Sequence, residues 1–506
     1  MKKILFLYSA YESYGIEMLS SFLKSAYTAE VELFQFSGLF DDSVTSWRGA
    51  AEFFLRHETG KLIRKIREFS PDLLAVSCVS NDFLKLAGIT KEVKTRFPSL
   101  PVIFGGIHPT MSPDRVITES GIDFVCEGDG EPVFSGLCQG LAYSEIPNLW
   151  YRHNGRIIAP EKRETFDFSA RPLLPDKTLV YHQAPYFKNS CTFQFSRGCL
   201  YQCSFCCHSR ANRAPGPRFM YLTPEQAIFQ LCELRDQHRI KRFLFDDDLF
   251  IFDREWSRIF LSLYSEKVGI PFYAVLHPRF TDREMVELIK SAGCFKLELA
   301  VQTMNESARK KWLHRAESNQ EILRALYWVS QSGIPFNIQH MCGIPETTVE
   351  DDLAALRTYS RFSPSRIFCF CLTYYPGCSI TKQAMESGVI SSLRYQEIRD
   401  GQVSNFEHTG DLDTSGAEYA AAIRLISSVI PISPVLARFL SRGSRYRMLK
   451  PFLQLYRFLD MFNSIRSGEL TVQTAVLRYA YYLFGIRAMR VLASFFERGS
   501  TPGDTK

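Results

Sequence analysis

SRGCLYQCSFCCH, residues 196–208, gathers four of the chain's fourteen cysteines between Cys199 and Cys207. A disulfide framework needs an oxidising compartment and a secretory signal. The start, MKKILFLYSAYES (1–13), has a basic pair and a short apolar run with no convincing cleavage site, and it reads better as a buried first strand. A cytoplasmic location is therefore expected, where cysteines stay reduced or act as ligands. A structural zinc site wants four ligands, commonly in two pairs, and no second CxxC pair follows downstream. Inert buried thiols do not need such crowding in a polar loop. Iron–sulfur ligation remains: Cys199, Cys203 and Cys206 follow C-x3-C-x2-C spacing. A fully ligated cubane takes four thiolates, so three local ligands leave one iron open. Cys207 reads as a bystander, because adjacent cysteines rarely aim both sulfurs at one cluster.

Outward from this loop the sequence alternates. FQFSRG (193–198) opens a series of apolar strand patterns at 243–248, 271–276, 295–301, 336–343 and 365–373, with helical periodicity at 223–238, 254–267, 282–291, 317–332 and 348–360. Six such units predict a partial or full parallel barrel, whose sites lie at the carboxyl ends of its strands. The cysteines follow the first of them. The first 140 residues form a second α/β series, with strands at 2–8, 31–36, 73–80, 101–106 and 122–128. Continuous apolar strands between helices predict a parallel sheet covered on both faces, with ligands beyond its carboxyl edge. The Pro-rich stretch 141–190, with one hairpin pattern at LWYRHNGRII, reads as a linker. The expected domains are 1–140, the linker 141–190, the barrel 191–378 and a helical, basic region 379–506.

The C-x3-C-x2-C loop, with the aromatic Phe205 before its last cysteine and six βα units around it, resembles the radical S-adenosylmethionine (SAM) enzymes. The resemblance implies a [4Fe-4S] cluster on Cys199, Cys203 and Cys206, with its open iron chelated by SAM. In that family one electron cleaves SAM to methionine and a 5′-deoxyadenosyl radical, which abstracts hydrogen from substrate. Asp247 and Asp248, in RFLFDDDLF (242–250), would face the cofactor's ammonium group. Glu298 and Gln302 stand where the family's fourth strand carries a Gly-Ile-Glu-Ser-Gly core, although the glycines and serine are absent here. Gly343 in MCGIPETT (341–348) matches the fifth-strand turn that approaches adenine.

Three N-terminal turns resemble the cobalamin-binding domain of one branch of this family: SCVSNDF (77–83), FGGIHPT (104–110) and CEGDGEPVF (126–134). The resemblance implies corrin contacts from Ser77, Ser80, Gly105, Gly106, Pro109, Thr110, Glu127, Gly128 and Glu131. The first loop, Ser9 to Gly15, lacks the cobalt-ligating histidine of the methyl-transfer domains. His108 reads as a polar loop residue rather than a replacement ligand.

The fold class implied is α/β: a Rossmann-like cobalamin-binding domain, a (β/α)6 partial TIM-type radical SAM barrel, then a helical C-terminal region. The function implied is methylation of an unactivated carbon of a small-molecule, lipid or natural-product substrate, with methylcobalamin as donor and flavodoxin or ferredoxin as electron source. The alternatives are oxidative cyclisation or ring rearrangement without methyl transfer and, in another class, a non-catalytic cobalamin or redox sensor. Residues 421–506 hold thirteen Lys and Arg against four Asp and Glu, a local excess of +9 in a chain of net +6. Arg interleaved with Leu, Phe and Tyr at 437–462 and 471–496 reads first as helices packed on the barrel with snorkelling arginines. The second reading is a contact with an anionic membrane surface. No nucleic-acid motif accompanies the charge.

Overall fold

Apolar side chains crowd both faces of strand β1 (Lys3–Tyr8), where Ile4, Leu5 and Leu7 are fully buried. In the computed structural model, which describes residues 2–8, 12–36, 48–182, 190–208, 219–404, 410–412, 414–453 and 455–468, this strand sits inside a seven-stranded sheet. The described residues up to 182 form one compact unit and those from 190 another. In the first unit β1, β2 (Glu30–Gln35), β3 (Leu73–Ser77), β4 (Val102–Gly105) and β5 (Phe124–Cys126) are parallel, in the order β2-β1-β3-β4-β5. The chain order reverses between β1 and β3, and ligands of such sheets bind outside that carboxyl edge. Helices α1 (Tyr14–Tyr27), α2 (Arg48–Phe69), α3 (Phe83–Arg96) and α4 (Gly130–Gln139) connect the strands.

The stretch 141–190 is more than the expected linker. Its hairpin, β6 (Leu149–His153) and β7 (Arg156–Ile158), adds two antiparallel strands to the sheet through β5. Residues 174–177 then dock on α1. Asp176 accepts from Ser20 Oγ at 2.6 Å and Lys24 Nζ at 2.5 Å. Lys177, fully buried, pairs with Glu17 at 2.7 Å and Glu12 at 3.4 Å. Burial raises the Glu17 carboxyl against the opposing pull of Lys177.

The second unit centres on six parallel strands ordered β15-β14-β13-β12-β11-β8. These are β8 (Cys191–Phe193), β11 (Phe243–Phe245), β12 (Phe272–Leu276), β13 (Cys294–Gln302), β14 (Phe336–Cys342) and β15 (Arg366–Cys371). β8 and β15 are the two edges, so the barrel is partial. Helices α5 (Pro224–His238), α6 (Arg254–Leu263), α7 (Arg283–Ser291), α8 (Asn319–Ser332) and α9 (Val349–Tyr359) alternate with them. Thr223, Ser318 and Thr348 start α5, α8 and α9 with reciprocal capping boxes, which satisfy otherwise unpaired helix-end donors.

The first strand stops sooner than the pattern FQFSRG predicts. Residues 196–198 form a separate strand, β9 (Ser196–Gly198), antiparallel to β10 (Phe219–Tyr221). The C-terminal helices α10 (Ser379–Glu386), α11 (Thr414–Val429), α12 (Pro434–Leu440) and α13 (Leu455–Arg466) belong to this same unit. Arg424 of α11 donates to Cys369 O and Cys371 Sγ, each at 3.1 Å, and Arg366 of β15 pairs with Asp460 of α13. The basic segment 471–496 lies outside the described residues.

Removing one partner of a buried ion pair leaves an uncompensated charge. Lys177→Met is expected to cost the N-terminal unit about 3–5 kcal/mol, read as a lower urea midpoint. Lys177→Met/Glu17→Leu should recover part of that loss; equal midpoints for wild type and the single variant would contradict the pairing.

Candidate active site

The cysteine loop is shaped by a carboxylate far away in sequence. Asp247, just past β11, is buried; its Oδ1 accepts from Phe195 N at 3.0 Å, Ser196 N at 2.7 Å and Ser196 Oγ at 2.5 Å. These bonds turn the chain out of β8 into β9. Gly198, at φ +82°, then opens the loop, in a region that favours glycine. Asp247 is therefore engaged with backbone at Oδ1, rather than only facing a ligand as expected. Its Oδ2 has no hydrogen-bond partner. Burial holds the carboxyl well above its usual range, with Ser196 and Phe195 opposing.

Ser204, between the second and third cysteines of the spacing, is the loop's anchor. Its N–H donates to Leu313 O at 3.1 Å and its hydroxyl to Trp312 O. Its own carbonyl accepts from Ile380 N at 3.1 Å. The Tyr201 ring stacks on His277 with centroids 4.6 Å apart. Cys199, Cys203 and Cys206 lie close enough to repel one another as thiolates. Burial pushes Cys199 up to about 12 and Cys203 to about 11. Cys206 is raised chiefly because its thiol donates to Cys207, then by burial. Three half-buried sulfurs in one loop, whose ionisation is penalised, call for a cationic partner, and iron supplies one. The donor set thus fits a three-cysteine iron–sulfur cluster. The ligating atoms of Cys206, Cys207 and His208 fall within 4.8 Å of one another. His208 Nδ1 lies 3.2 Å from Asp248. Phe205 O accepts from the Cys378 thiol at 3.6 Å.

A polar network crosses the strands beside this loop. Tyr273 of β12 donates to Glu298 of β13 at 2.6 Å; Gln339 of β14 donates to the other Glu298 oxygen and accepts from Gln302 at 2.8 Å. Both expected fourth-strand residues, Glu298 and Gln302, are in it. Gln302 ends β13 at φ +68°, a strained conformation for a side chain of its size. Gln339 is in register with Phe368, so strand alternation puts Phe368 and Phe370 on the network's face. Their rings are parallel at 6.1 Å. Gly343 has φ +75°, and a Cβ there would come within 2.7 Å of Leu412.

In the first unit the three turns singled out by sequence meet at one carboxyl edge. Gly106 (φ +92°) approaches Cys78 so closely that a Cβ would sit 3.0 Å from its backbone nitrogen and 3.1 Å from Ser77 Oγ. Thr110 donates to Gly106 O at 2.8 Å and accepts from Gly128 N at 3.0 Å, which ties the second turn to the third. Gly105 lies over Cys126. Pro109 and Glu131 are buried, Glu131 in the first turn of α4. Two expected contacts are engaged within the protein. Ser80 Oγ bonds His108 Nδ1 at 3.0 Å, and Glu127 accepts from Trp150 Nε1 at 2.8 Å and Arg163 at 3.0 Å. His108, expected as a polar loop residue, stands in a short helix, Ile107–Met111; it is fully buried, lies 4.3 Å from the Phe83 ring, and burial lowers it to about 3. It is a neutral imidazole whose Nε2 has no partner. Ser9 to Tyr11 of the first loop lie outside the described residues.

Sequence reading missed the residues that carry the loop's supports. Fully buried Arg309 donates to Thr303 O at 2.5 Å, Glu317 O at 2.7 Å and Asn319 Oδ1 at 2.9 Å. Arg315 bridges Glu317 at 2.6 Å and Ala300 O at 2.8 Å. Together they hold the turn that presents the Trp312 and Leu313 carbonyls to Ser204. Nothing in RKKWLHRAE (309–317) distinguishes them from surface charge.

The B12 binding domain model matches residues 12–137, and the Radical SAM superfamily model matches 193–358. An uncharacterized methyltransferase of Pyrococcus horikoshii is 22% identical over 361 residues, 69% of this chain and 76% of that protein. An anaerobic magnesium-protoporphyrin IX monomethyl ester cyclase of Synechocystis is 22% identical over 315 residues, 60% of this chain and 62% of that one. Among solved structures, the radical S-adenosylmethionine methyltransferase TsrM from Kitasatospora setae, with cobalamin and a [4Fe-4S] cluster bound, shares the fold. Its TM-score is 0.63 at 16% identity, over 93% of this chain and 100% of that one.

Alanine at Cys199, Cys203 or Cys206 is expected to reduce reconstituted iron and sulfide to background, whereas Cys207→Ala keeps most of both. Elemental analysis with electron paramagnetic resonance of the reduced protein reads this. Full iron retention in Cys203→Ala would contradict the assignment.

Proposed function

We infer that this chain, a cobalamin-dependent radical SAM enzyme by its two domains, transfers a methyl group to an unactivated carbon of a small-molecule, lipid or natural-product substrate. The observation that carries the reading is the pairing of a three-thiol loop, beside a polar strand-end network, with a B12-type sheet edge. When bound, the cluster and SAM supply reductive cleavage of a carbon–sulfur bond, and cobalamin supplies a methyl carrier.

The chain's own residues divide the remaining work. Cys199, Cys203 and Cys206 would hold the cluster and leave it open to SAM. Asp247 and Ser204 keep the loop from rearranging. Glu298, positioned by Tyr273 and Gln339, offers a carboxylate to the cofactor's ammonium, and Gln302 offers its amide. Phe368 and Phe370 give the same face an apolar surface, which suits a hydrophobic carbon skeleton and keeps water from a reactive intermediate. In the first unit Gly106 and Gly128 keep the sheet edge free of side chains, so a large flat corrin can approach, and Ser77 and Thr110 supply hydroxyls beside it. Catalysis needs an external one-electron donor of the flavodoxin or ferredoxin class.

Methyl transfer is favoured by the extent of the likeness to the Pyrococcus horikoshii methyltransferase, which spans 76% of that protein. A second reading, oxidative cyclisation, is supported by the likeness to the Synechocystis cyclase. The test uses anaerobically reconstituted enzyme, cobalamin, reductant and SAM labelled in its methyl carbon, incubated with an apolar extract of cells lacking the gene. A product that gains one methylene with the label is expected. A product that loses hydrogen and carries no label would overturn methylation in favour of cyclisation.

A further inference from the structure

Between Ile432 and Phe462 the second unit turns an ordinary folding rule inside out. Helix α13 buries the polar Asn463 and Ser464, each 1% exposed, and Asn463 donates to Ser428 O at 2.9 Å. Its outer face carries Leu455, Phe458 and Phe462, which are 47%, 67% and 53% exposed. Their i, i+3, i+7 spacing makes one stripe. Helix α12 repeats the pattern: Val435, Leu436 and Phe439 are exposed, and Ala437 is buried. Between the helices, Met448 and Phe452 are exposed as well. A helix on the surface of a globular protein normally presents polar residues to water. Contiguous apolar stripes in this position mark a contact surface.

The charge around these side chains says what the surface meets. Arg442, Arg447 and Arg466 are exposed in the same segment, Lys450 pairs with Glu418 at 2.9 Å, and Arg445 lies over the Phe439 ring at 4.1 Å. Its one acidic residue, Asp460, is taken up by Arg366. A protein partner's apolar face would not by itself call for this one-sided charge. Apolar rings set among unneutralised arginines match the boundary between anionic headgroups and acyl chains. No helix among the described residues is long and apolar enough to cross a membrane, so the contact is one of lying on the surface.

We propose that the segment 432–466 is a membrane-surface docking site, which seats exposed Leu, Val and Phe side chains in the acyl boundary of a bilayer rich in anionic phospholipid while its arginines engage the headgroups. The site is separate from the cysteine loop and does not depend on the reaction inferred above.

The test is cosedimentation of the full chain with vesicles of phosphatidylcholine alone and of phosphatidylcholine mixed with phosphatidylglycerol. Binding to the mixed vesicles is expected. It should weaken as salt is raised, and fall at least about ten-fold in Phe458→Ser/Phe462→Ser. Both side chains are exposed, so the variant should keep the wild-type circular dichroism and melting curve. Equal binding by a folded variant would overturn the proposal. So would absence of binding to either vesicle, or a dimer in solution that the same substitutions convert to monomer without any affinity for lipid, since the stripe would then belong to a second copy of the chain.

Discussion

The second unit depends on a single buried carboxyl. Asp247 leaves the end of one strand and takes three donors from the chain just after another, fifty-one and fifty-two positions away. Without that acceptor two backbone N–H groups would be buried and unpaired at the point where β8 breaks. Such groups cost about 1–3 kcal/mol each, so the bend is held firmly. The bend then decides everything after it: β9 pairs antiparallel with β10, Gly198 turns, and Ser204 is delivered to the carbonyls of residues 312 and 313. The cysteine loop is fixed at its start by Asp247 and at its middle by Ser204.

The same economy governs the first unit. Its carboxyl edge is bare where Gly106 and Gly128 stand, and it is braced by polar contacts between its own turns. Thr110 ties two turns, Ser80 holds His108, and Glu127 is clamped by Trp150 and Arg163. An edge built this way keeps its shape without a ligand. Preorganisation of this kind lowers the ordering cost when a large cofactor binds. The hairpin β6–β7 and the docking of residues 174–177 on α1 add rigidity from a stretch whose prolines suggest a free linker.

What could be read from sequence was local. The C-x3-C-x2-C spacing, the two alternating series and the glycine turns need only neighbours a few residues apart, and the sheets and loops stand where those signals put them. What escaped was long-range. Asp247 looks like one of three equivalent acidic residues until Phe195 and Ser196 are seen against it. Gln339 gives no sign that it joins Glu298 to Gln302, and Arg309 and Arg315 resemble solvated charge although one is wholly buried. His108 gives no sign in sequence that it is buried between Ser80 and Phe83. The break at Gln194 was hidden for the same reason, since the residues on either side of it are good strand formers.

The most direct test is to reconstitute the chain anaerobically with iron, sulfide and cobalamin, add SAM, a strong reductant and the apolar cell extract as substrate source, and follow 5′-deoxyadenosine and S-adenosylhomocysteine together. Both are expected to accumulate in the wild type. In Cys203→Ala, 5′-deoxyadenosine should disappear. An intact cluster, bound cobalamin and substrate present, with SAM recovered unchanged, would contradict the proposed reaction.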